Sequence, residues 1–341
     1  MNRIRPIIFA LMAAVFYAVN VPVSKVLLTN VEPTVMAALL YLGAGIGVGI
    51  MALFQKERGE KLTKSDTPYV IGMIALDIAA PIFLMMGISY GTSSDASLLG
   101  NFEIAATALI ALFIFKEKVS ARLWTAIALI TVSSIILSLD GGEGIRLSAG
   151  SVFVLLATVC WGFENNCTRN ISSKSTYEIV ILKGIFSGLG ALVIALIKGE
   201  AMPGLSYAAC ALVLGFVAYG LSIFFYIRAQ NSLGAAKTSA YYAAAPFVGA
   251  LLSFALLKEK LTGTYLAAAA VMIVGTAFVV ADTLRRRHEH THSHTLTHTH
   301  DGSTHTHVVS HTHGHDHYRE NGAHGHRHSR ARLERELMAH V

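Results

Sequence analysis

The sequence predicts an all-α integral membrane protein with ten transmembrane helices, arranged as a 5+5 inverted repeat and followed by a disordered histidine-rich tail. Three observations support this fold class. The 341 residues are 53% hydrophobic and only 14% charged, and the charges gather between long apolar runs. Two sequence phrases recur at nearly the same offset. All 16 histidines follow the last apolar run.

Ten apolar runs have the length of a membrane-spanning helix. About 20 helical residues cross the roughly 30 Å of hydrocarbon in a bilayer. The first run follows two arginines and resembles a secretory signal, but it continues to about Leu28, so we expect a retained helix. The runs cover 7–27, 33–54, 68–90, 95–115, 121–139, 149–168, 177–197, 206–228, 236–257 and 263–282.

The distribution of lysine and arginine predicts the orientation in the membrane. If the N-terminus lies inside, the inner segments carry 16 of these residues and the outer loops carry 5. Because cytoplasmic loops are enriched in basic residues, both termini are expected in the cytoplasm, in a multi-pass protein of the inner (plasma) membrane. The formal charge of +6 then reflects topology and indicates no nucleic-acid partner.

An internal repeat divides the membrane part into two halves. The phrase FKEKVS at 115–120 returns as LKEKLT at 257–262, an offset of 142 residues, and 14–25 matches 158–169 at an offset of 144. Because each unit has five spans, the two copies insert in opposite senses, an arrangement that frames a transport path near the bilayer midplane. The expected domains are a first repeat at 1–142, a second repeat at 143–284 and a cytoplasmic tail at 285–341.

Aromatic phrases close the first span of each half, Phe16-Tyr17-Ala18 and Trp161-Gly162-Phe163, and AAPFVGALLSFALLKEKLT precedes the last span. With the 5+5 arrangement, these phrases make residues 5 to 283 resemble the EamA branch of the drug/metabolite transporter superfamily. The resemblance implies export of amino acids or other metabolites, with nucleotide-sugar and triose-phosphate carriers as relatives, and no shared catalytic motif. The first half departs from the pattern, since Asn101-Phe102-Glu103-Ile104 stands where the second half has Pro246.

Two carboxylates fall deep inside predicted spans. Asp77 and Glu103 each lie about 14 to 18 Å from the inner ends of neighbouring spans, at 1.5 Å per helical residue. A charge at the bilayer centre is costly, so such residues face a partner or a wet cavity. At one depth the two could share a proton or a cation. Alternatively, Asp77 satisfies backbone groups freed by Pro81, and Glu103 is tied to Asn101 or to nearby hydroxyls.

Other polar and aromatic side chains in the spans complete the candidate substrate or coupling site. Glu164 and Lys183 lie at similar depths near the inner ends of their spans, so an interhelical ion pair is expected, with a clamp on a substrate carboxylate by Lys183 as the alternative. Asn20-Val21-Pro22 predicts a helix break. Tyr241 and Tyr242 could equally be interfacial belt residues. The remaining candidates are Tyr17, Asn20, Trp161, Asn165 and Asn101.

The tail from His288 onward has mostly His-x-His spacing and too few apolar residues to form a core, which predicts disorder. Neutral imidazoles are preferred ligands of Zn, Ni and Co, so we expect the tail to bind these ions although no cofactor is required. The alternative is a low-complexity tail without a role. The candidate metal ligands are His288, His290, His292, His294, His298, His300, His305, His307, His311, His313, His315 and His317.

From these residues together with the resemblance, we expect secondary-active export of a small polar metabolite such as an amino acid, by alternating access with proton or cation coupling. The alternative is a divalent transition-metal (Zn/Ni/Co) transporter whose tail collects or senses metal, but the spans contain no histidine. A metal sensor anchored in the membrane would need neither ten spans nor a repeat. No GxSxG, Walker or HExxH motif indicates an enzyme. The expected partners are a small-molecule substrate and the lipid bilayer, with divalent metal ions and a second copy of the chain as further candidates.

Overall fold

The computed structural model describes residues 4–55, 59–90, 99–100, 102–117, 119–138, 149–245, 247–249, 251–252, 263–284, 286–300 and 303–317. Asn101, Pro246 and the second copy of the repeated phrase at 257–262 lie outside these ranges. The chain divides into two units, Met1–Thr283 and Leu284–Val341. Each unit is described separately below.

The first unit is helical wherever the structure assigns regular secondary structure to it. Gly234, which precedes the short helix Ala235–Tyr242, adopts a positive φ of 81°. The helices are α1 Ile4–Ala18, α2 Asn20–Leu27, α3 Pro33–Leu53, α4 Thr67–Tyr90, α5 Phe102–Phe113, α6 Ala121–Ser138, α7 Ala149–Ile171, α8 Thr176–Lys198, α9 Leu205–Leu214, α10 Ser222–Leu233, α11 Ala235–Tyr242 and α12 Gly263–Leu284. A 3₁₀ turn covers Lys64–Asp66, and a π-helical segment covers Gly215–Leu221.

Among the described residues, five helical stretches are long and apolar enough to cross a membrane, and shorter apolar helices accompany them. Helix α7 has 23 residues but carries more polar side chains than these five stretches. Large apolar side chains face outward, for example Ile197 at 80% exposure. Such a surface suits lipid and not water, so the fold is that of an integral membrane protein. The long stretches are Ile4–Leu27, Pro33–Leu53, Lys64–Tyr90, Thr176–Lys198 and Leu205–Leu233.

Helix α3 lies at the centre of the first unit and is buried along most of its length. It packs closely against α8 and against the π-helical segment. A methyl group on Gly184 of α8 would overlap the backbone of Gly45 on α3, so the two helices touch through their main chains. Small residues permit this close approach of membrane helices, where packing and not water exclusion drives association.

A carboxylate caps the start of α3. The backbone N–H groups of Thr34 and Val35 each donate to Glu200 Oε2 at 3.0 Å, and the Thr34 hydroxyl donates to Oε1 at 2.6 Å. Partial burial acts to raise the pKa of Glu200, but hydrogen bonds from Lys198, Thr34 and Val35 outweigh it and hold that pKa below its ordinary value. Because these N–H groups have no partner within the helix, the carboxylate from the end of α8 both satisfies and fixes α3.

The second unit corrects the predicted disorder of the histidine-rich tail. Strands β1 Arg286–His300 and β2 Ser303–His317 pair as an antiparallel hairpin, with His288 opposite His315 and His298 opposite His305. The alternation of histidine with β-branched threonine favours an extended chain. Asp301-Gly302, just outside the described residues, is a dipeptide typical of two-residue hairpin loops. Low apolar content alone was therefore a poor guide to the backbone here.

The glycine contact between α3 and α8 gives a stability prediction. Gly184→Ala should lower the free energy of unfolding by about 1–3 kcal/mol, because the added methyl group meets the Gly45 backbone. Thermal unfolding of the purified protein in detergent, followed by tryptophan fluorescence, measures this effect. Gly49→Ala on α3 is the matched control, since no atom lies within 4 Å of the added group and alanine favours a helix. Equal melting temperatures for the two variants would contradict the contact.

Candidate functional site

A cavity inside the first unit brings together residues from both halves of the chain. It contains about 460 Å³ of space between atoms, a value that includes the open solvent at its mouth. Eight of the described helices contribute to its wall. They are α1, both α3 and α4 near their middles, α5 at its start, and α7, α8, α10 and α11. The lining residues are Tyr17, Tyr41, Asp77, Glu103, Trp161, Glu164, Asn165, Lys183, Ala218, Tyr219, Ser222, Ile223, Tyr226 and Tyr242.

Lys183 holds two carboxylates at the cavity wall. Its ammonium group lies 2.7 Å from Glu164 Oε1 and 3.2 Å from Asp77 Oδ2. The Tyr41 hydroxyl donates to Asp77 Oδ1 at 2.7 Å, and the Thr168 hydroxyl donates to Glu164. All three charged side chains are buried. The predicted Glu164–Lys183 ion pair is present, and Asp77 joins it as a third member.

This triad corrects the expectation that Asp77 and Glu103 share one proton or cation. Asp77 pairs with Lys183 and Tyr41 instead, and these contacts also replace the suggested satisfaction of backbone groups near Pro81. The depth of a residue along a helix says nothing about the direction in which the helix presents its side chain. With both carboxylates ionised, the triad carries a net charge of −1, so Lys183 is already neutralised before any substrate arrives.

Glu103 lies in the first turn of α5 and is partly exposed to the cavity. The Asn165 side-chain amide donates to Glu103 Oε1 at 2.7 Å and also lies 3.2 Å from the Thr107 hydroxyl. In the part of the chain that the structure describes, no lysine or arginine forms an ion pair with Glu103. Glu103 is therefore a carboxylate of the cavity wall that an incoming cation or proton can neutralise.

Five tyrosines form an arc around the cavity. Their rings follow one another in contact, with centroid distances of 5.1 Å for Tyr41–Tyr219, 5.8 Å for Tyr219–Tyr17, 5.4 Å for Tyr17–Tyr242 and 5.0 Å for Tyr242–Tyr226. Trp161 adds a sixth aromatic ring to the wall. The faces of such rings attract cations, so the arc reinforces the preference set by the carboxylates.

Three members of the arc were missed from the sequence. Tyr41, Tyr219 and Tyr226 sit in apolar runs where a tyrosine is indistinguishable from a core residue. Tyr219 lies in the π-helical segment Gly215–Leu221, and π-helical turns in helices are frequent at functional sites. The neighbouring Gly220 was the available signal, because a glycine within an apolar span often marks irregular or close-packed backbone.

The other candidates divide into those the structure brings to the cavity and those it does not. Tyr17 and Tyr242 line the cavity, and the Asn20 side-chain amide donates to Tyr219 at 3.4 Å behind them. The predicted break before Pro22 is present, since α1 ends at Ala18 and α2 begins at Asn20. Tyr241 instead packs in an apolar core, which excludes it from the cavity wall. It points away because adjacent residues on a helix face different directions.

Metal-ligand clusters do not occur in this cavity. Among the described side chains, no group of three or more histidine, cysteine or acidic residues is placed to hold a metal ion. The twelve histidines predicted as ligands lie along the strands of the second unit. The cavity wall instead offers oxygen atoms, amides and aromatic rings.

The sequence profile of the EamA-like transporter family matches residues 4–139 and again residues 148–281. The chain belongs to this family. An EamA-like transporter is an integral membrane protein that moves a small molecule, and it is not an enzyme.

Relatives of this EamA-like transporter carry related names. It is 24% identical over 297 residues to an uncharacterized transporter of Methanothermobacter thermautotrophicus, covering 81% of this chain and 86% of that one. It is 25% identical over 283 residues to a probable amino-acid metabolite efflux pump of Escherichia coli, covering 79% and 92%. A crystal structure at 15% identity superposes with a TM-score of 0.68, covering 82% of this chain and 96% of that chain, which shows a common fold.

The buried triad gives a second stability prediction. Lys183→Met should reduce the free energy of unfolding by about 3–5 kcal/mol, because it leaves two buried carboxylates without their cation. Lys198→Met is the control, since Lys198 is partly exposed and its pair with Glu200 contributes at most about 1 kcal/mol. Thermal unfolding in detergent compares the two. A Lys183→Met protein as stable as Lys198→Met would contradict the role of the ion pairs.

Proposed function

We propose that this EamA-like transporter exports a small polar metabolite that carries an ammonium group, such as an amino acid, across the inner membrane. The observation that supports this most is the charge of the cavity wall. Three carboxylates face one ammonium group there, and Lys183 is already paired with two of them. Such a wall favours a cationic group and opposes phosphate-bearing substrates. The names of the efflux-pump relatives in Escherichia coli and Salmonella typhimurium support the same substrate class.

The proposed mechanism is alternating access between the two halves, with ten membrane spans arranged as a 5+5 inverted repeat and both termini in the cytoplasm. Glu103 serves as the coupling group in this proposal. It binds the substrate ammonium in one part of the cycle and a proton or a cation in the other. Because the Glu103 carboxylate neutralises one positive charge at a time, the substrate ammonium group and the coupling ion occupy it in turn. Transport therefore exchanges one for the other. The tyrosine arc and Trp161 surround the apolar and cationic parts of the substrate.

The role of Glu103 gives a transport prediction. Glu103→Gln keeps the size and hydrogen-bonding capacity of the side chain but removes its charge, so folding should be preserved while flux loses its dependence on an imposed ion gradient. Efflux of labelled amino acids from liposomes containing the purified protein, with and without a pH or sodium gradient, measures this. Flux in the Gln variant that still follows the gradient would remove Glu103 from the coupling step.

Two further variants separate coupling from structure. Glu60→Gln changes a carboxylate whose partner is Lys174 near the start of α8, outside the cavity, and should behave as wild type. If Glu103 served only in packing, Gln would support normal flux and Glu103→Leu would be the damaging change, since it removes the Glu103 acceptor of the Asn165 amide and leaves that amide only Thr107. A screen of amino acids and metal ions in cells that overproduce the protein would identify the substrate.

We propose a separate, peripheral role for the tail, which is the collection of Zn, Ni or Co by its histidines. The full-length protein should bind several of these ions at pH 7.5 and release them below about pH 6, as imidazoles with an ordinary pKa near 6.5 become protonated. A chain ending at residue 284 should bind none at these sites yet still transport substrate. Isothermal titration calorimetry measures binding. Transport that disappears with the tail would favour metal ions as the substrate.

A further inference from the structure

Oxygen-bearing side chains from three helices meet beside Glu103. Tyr226 and Gln230 lie one turn apart on α10, so they share a helix face. Ser239, on α11, lies beside both the Glu103 carboxylate and the Tyr226 hydroxyl, and Gln230 lies beside Tyr226. Glu103 and Tyr226 line the cavity, whereas Ser239 and Gln230 are buried and do not line it.

Three polar atoms in this group make no hydrogen bond of good length and angle, although Ser239 lies close to Glu103 and Tyr226, and Gln230 lies close to Tyr226. Among the described side chains, Tyr226 Oη, Gln230 Oε1 and Ser239 Oγ are buried and unpaired. Their residues are 7%, 0% and 1% exposed. Within the described ranges, Asp77 Oδ2 is the other buried atom without a hydrogen bond. Its ion pair with the Lys183 ammonium group, at 3.2 Å, compensates for this. Unsatisfied buried polar atoms are costly and rare, so three of them beside one carboxylate point to a ligand.

The chemistry of these atoms selects the ligand. Gln230 already uses its amide nitrogen, which donates to the Asn165 carbonyl at 3.0 Å, so its free atom is an acceptor oxygen. The whole set then consists of oxygens: one carboxylate, one amide carbonyl and two hydroxyls. Oxygen ligands suit hard cations and not the softer transition metals. A single carboxylate balances a single positive charge, which favours a monovalent ion.

The backbone adds to this preference. Helix α11 is only eight residues long and ends at Tyr242, which lines the cavity. Its C-terminal end therefore lies inside the protein and not at the membrane surface. The C-terminal ends of such interrupted membrane helices carry partial negative charge and stabilise bound cations.

We propose that Glu103, Tyr226, Ser239 and Gln230 form a binding site for a sodium ion next to the substrate cavity. One bound ion would satisfy the three unpaired oxygens and would also neutralise the charge of Glu103. Its use as the coupling ion rests on the proposed transport function, in which sodium and a substrate ammonium group alternate at Glu103. Binding of the ion itself does not depend on that function.

Equilibrium binding of ²²Na⁺ to the purified full-length protein in detergent tests the site. Choline chloride replaces sodium chloride to keep the ionic strength constant. Wild type should bind sodium saturably at one ion per chain. Ser239→Ala and Tyr226→Phe each remove one oxygen ligand and should weaken sodium affinity about tenfold or more, as is typical when a partner at a metal site is lost.

The control is Ser187→Ala, which removes another buried hydroxyl. Ser187 lies on α8 and donates to the Ile74 carbonyl at 3.3 Å, outside the cavity wall, so its variant should bind sodium as wild type does. Absence of saturable sodium binding by wild type would overturn the proposal, and so would unchanged affinity in both test variants. Saturable binding of methylammonium by a wild-type protein that binds no sodium would also overturn it and assign the oxygens to the substrate.

These outcomes are separate from those of the transport proposal. Sodium binding without amino-acid flux would leave the ion site standing and remove the proposed substrate. Flux that depends on a pH gradient, in a protein that binds no sodium, would leave export standing and remove the ion site.

Discussion

The rest of the structure depends on the need to keep charge inside a membrane only where it is paired. Lys183 meets this need by neutralising two carboxylates that arrive from α4 and α7, while Tyr41 of α3 completes the coordination of Asp77. Four helices are thus fixed to one another by a single polar cluster. Because breaking such a cluster exposes charge to a medium without water, the cluster sets the positions of these helices more strictly than apolar contacts do.

This fixed cluster explains the different character of Glu103. Among the described residues that line the cavity there is one ammonium group, and the triad uses it, so Glu103 has an amide as its partner and not a cation. A structural ion pair and an available carboxylate therefore stand side by side. The close backbone packing of α3 against α8 at Gly45 and Gly184 holds Tyr41 and Lys183, which lie on these two helices, in fixed positions.

Much of this arrangement could be predicted from sequence, and the failures have physical causes. Hydropathy and depth located the helices, Glu103 and the Glu164–Lys183 pair, because an unpaired charge in lipid is strongly penalised. Helix rotation was not predictable, which is why Asp77 was assigned to the wrong partner and Tyr241 to the cavity. Tyr41, Tyr219 and Tyr226 carry no penalty in an apolar run and so gave no signal. In the tail, low apolar content was given more weight than the alternation of histidine with threonine that favours strands.

The π-helical segment Gly215–Leu221 has a geometric consequence for movement. A π turn accommodates one residue more than an α turn, and each residue of an α-helix corresponds to about 100° of rotation. If the wide turn tightened to α-helix, α10 would rotate by that amount relative to α9. Because Tyr226 and Gln230 both lie on α10, they would then rotate away from Glu103 together. A single local change of winding could thus open or close access to the carboxylate without bending any other helix.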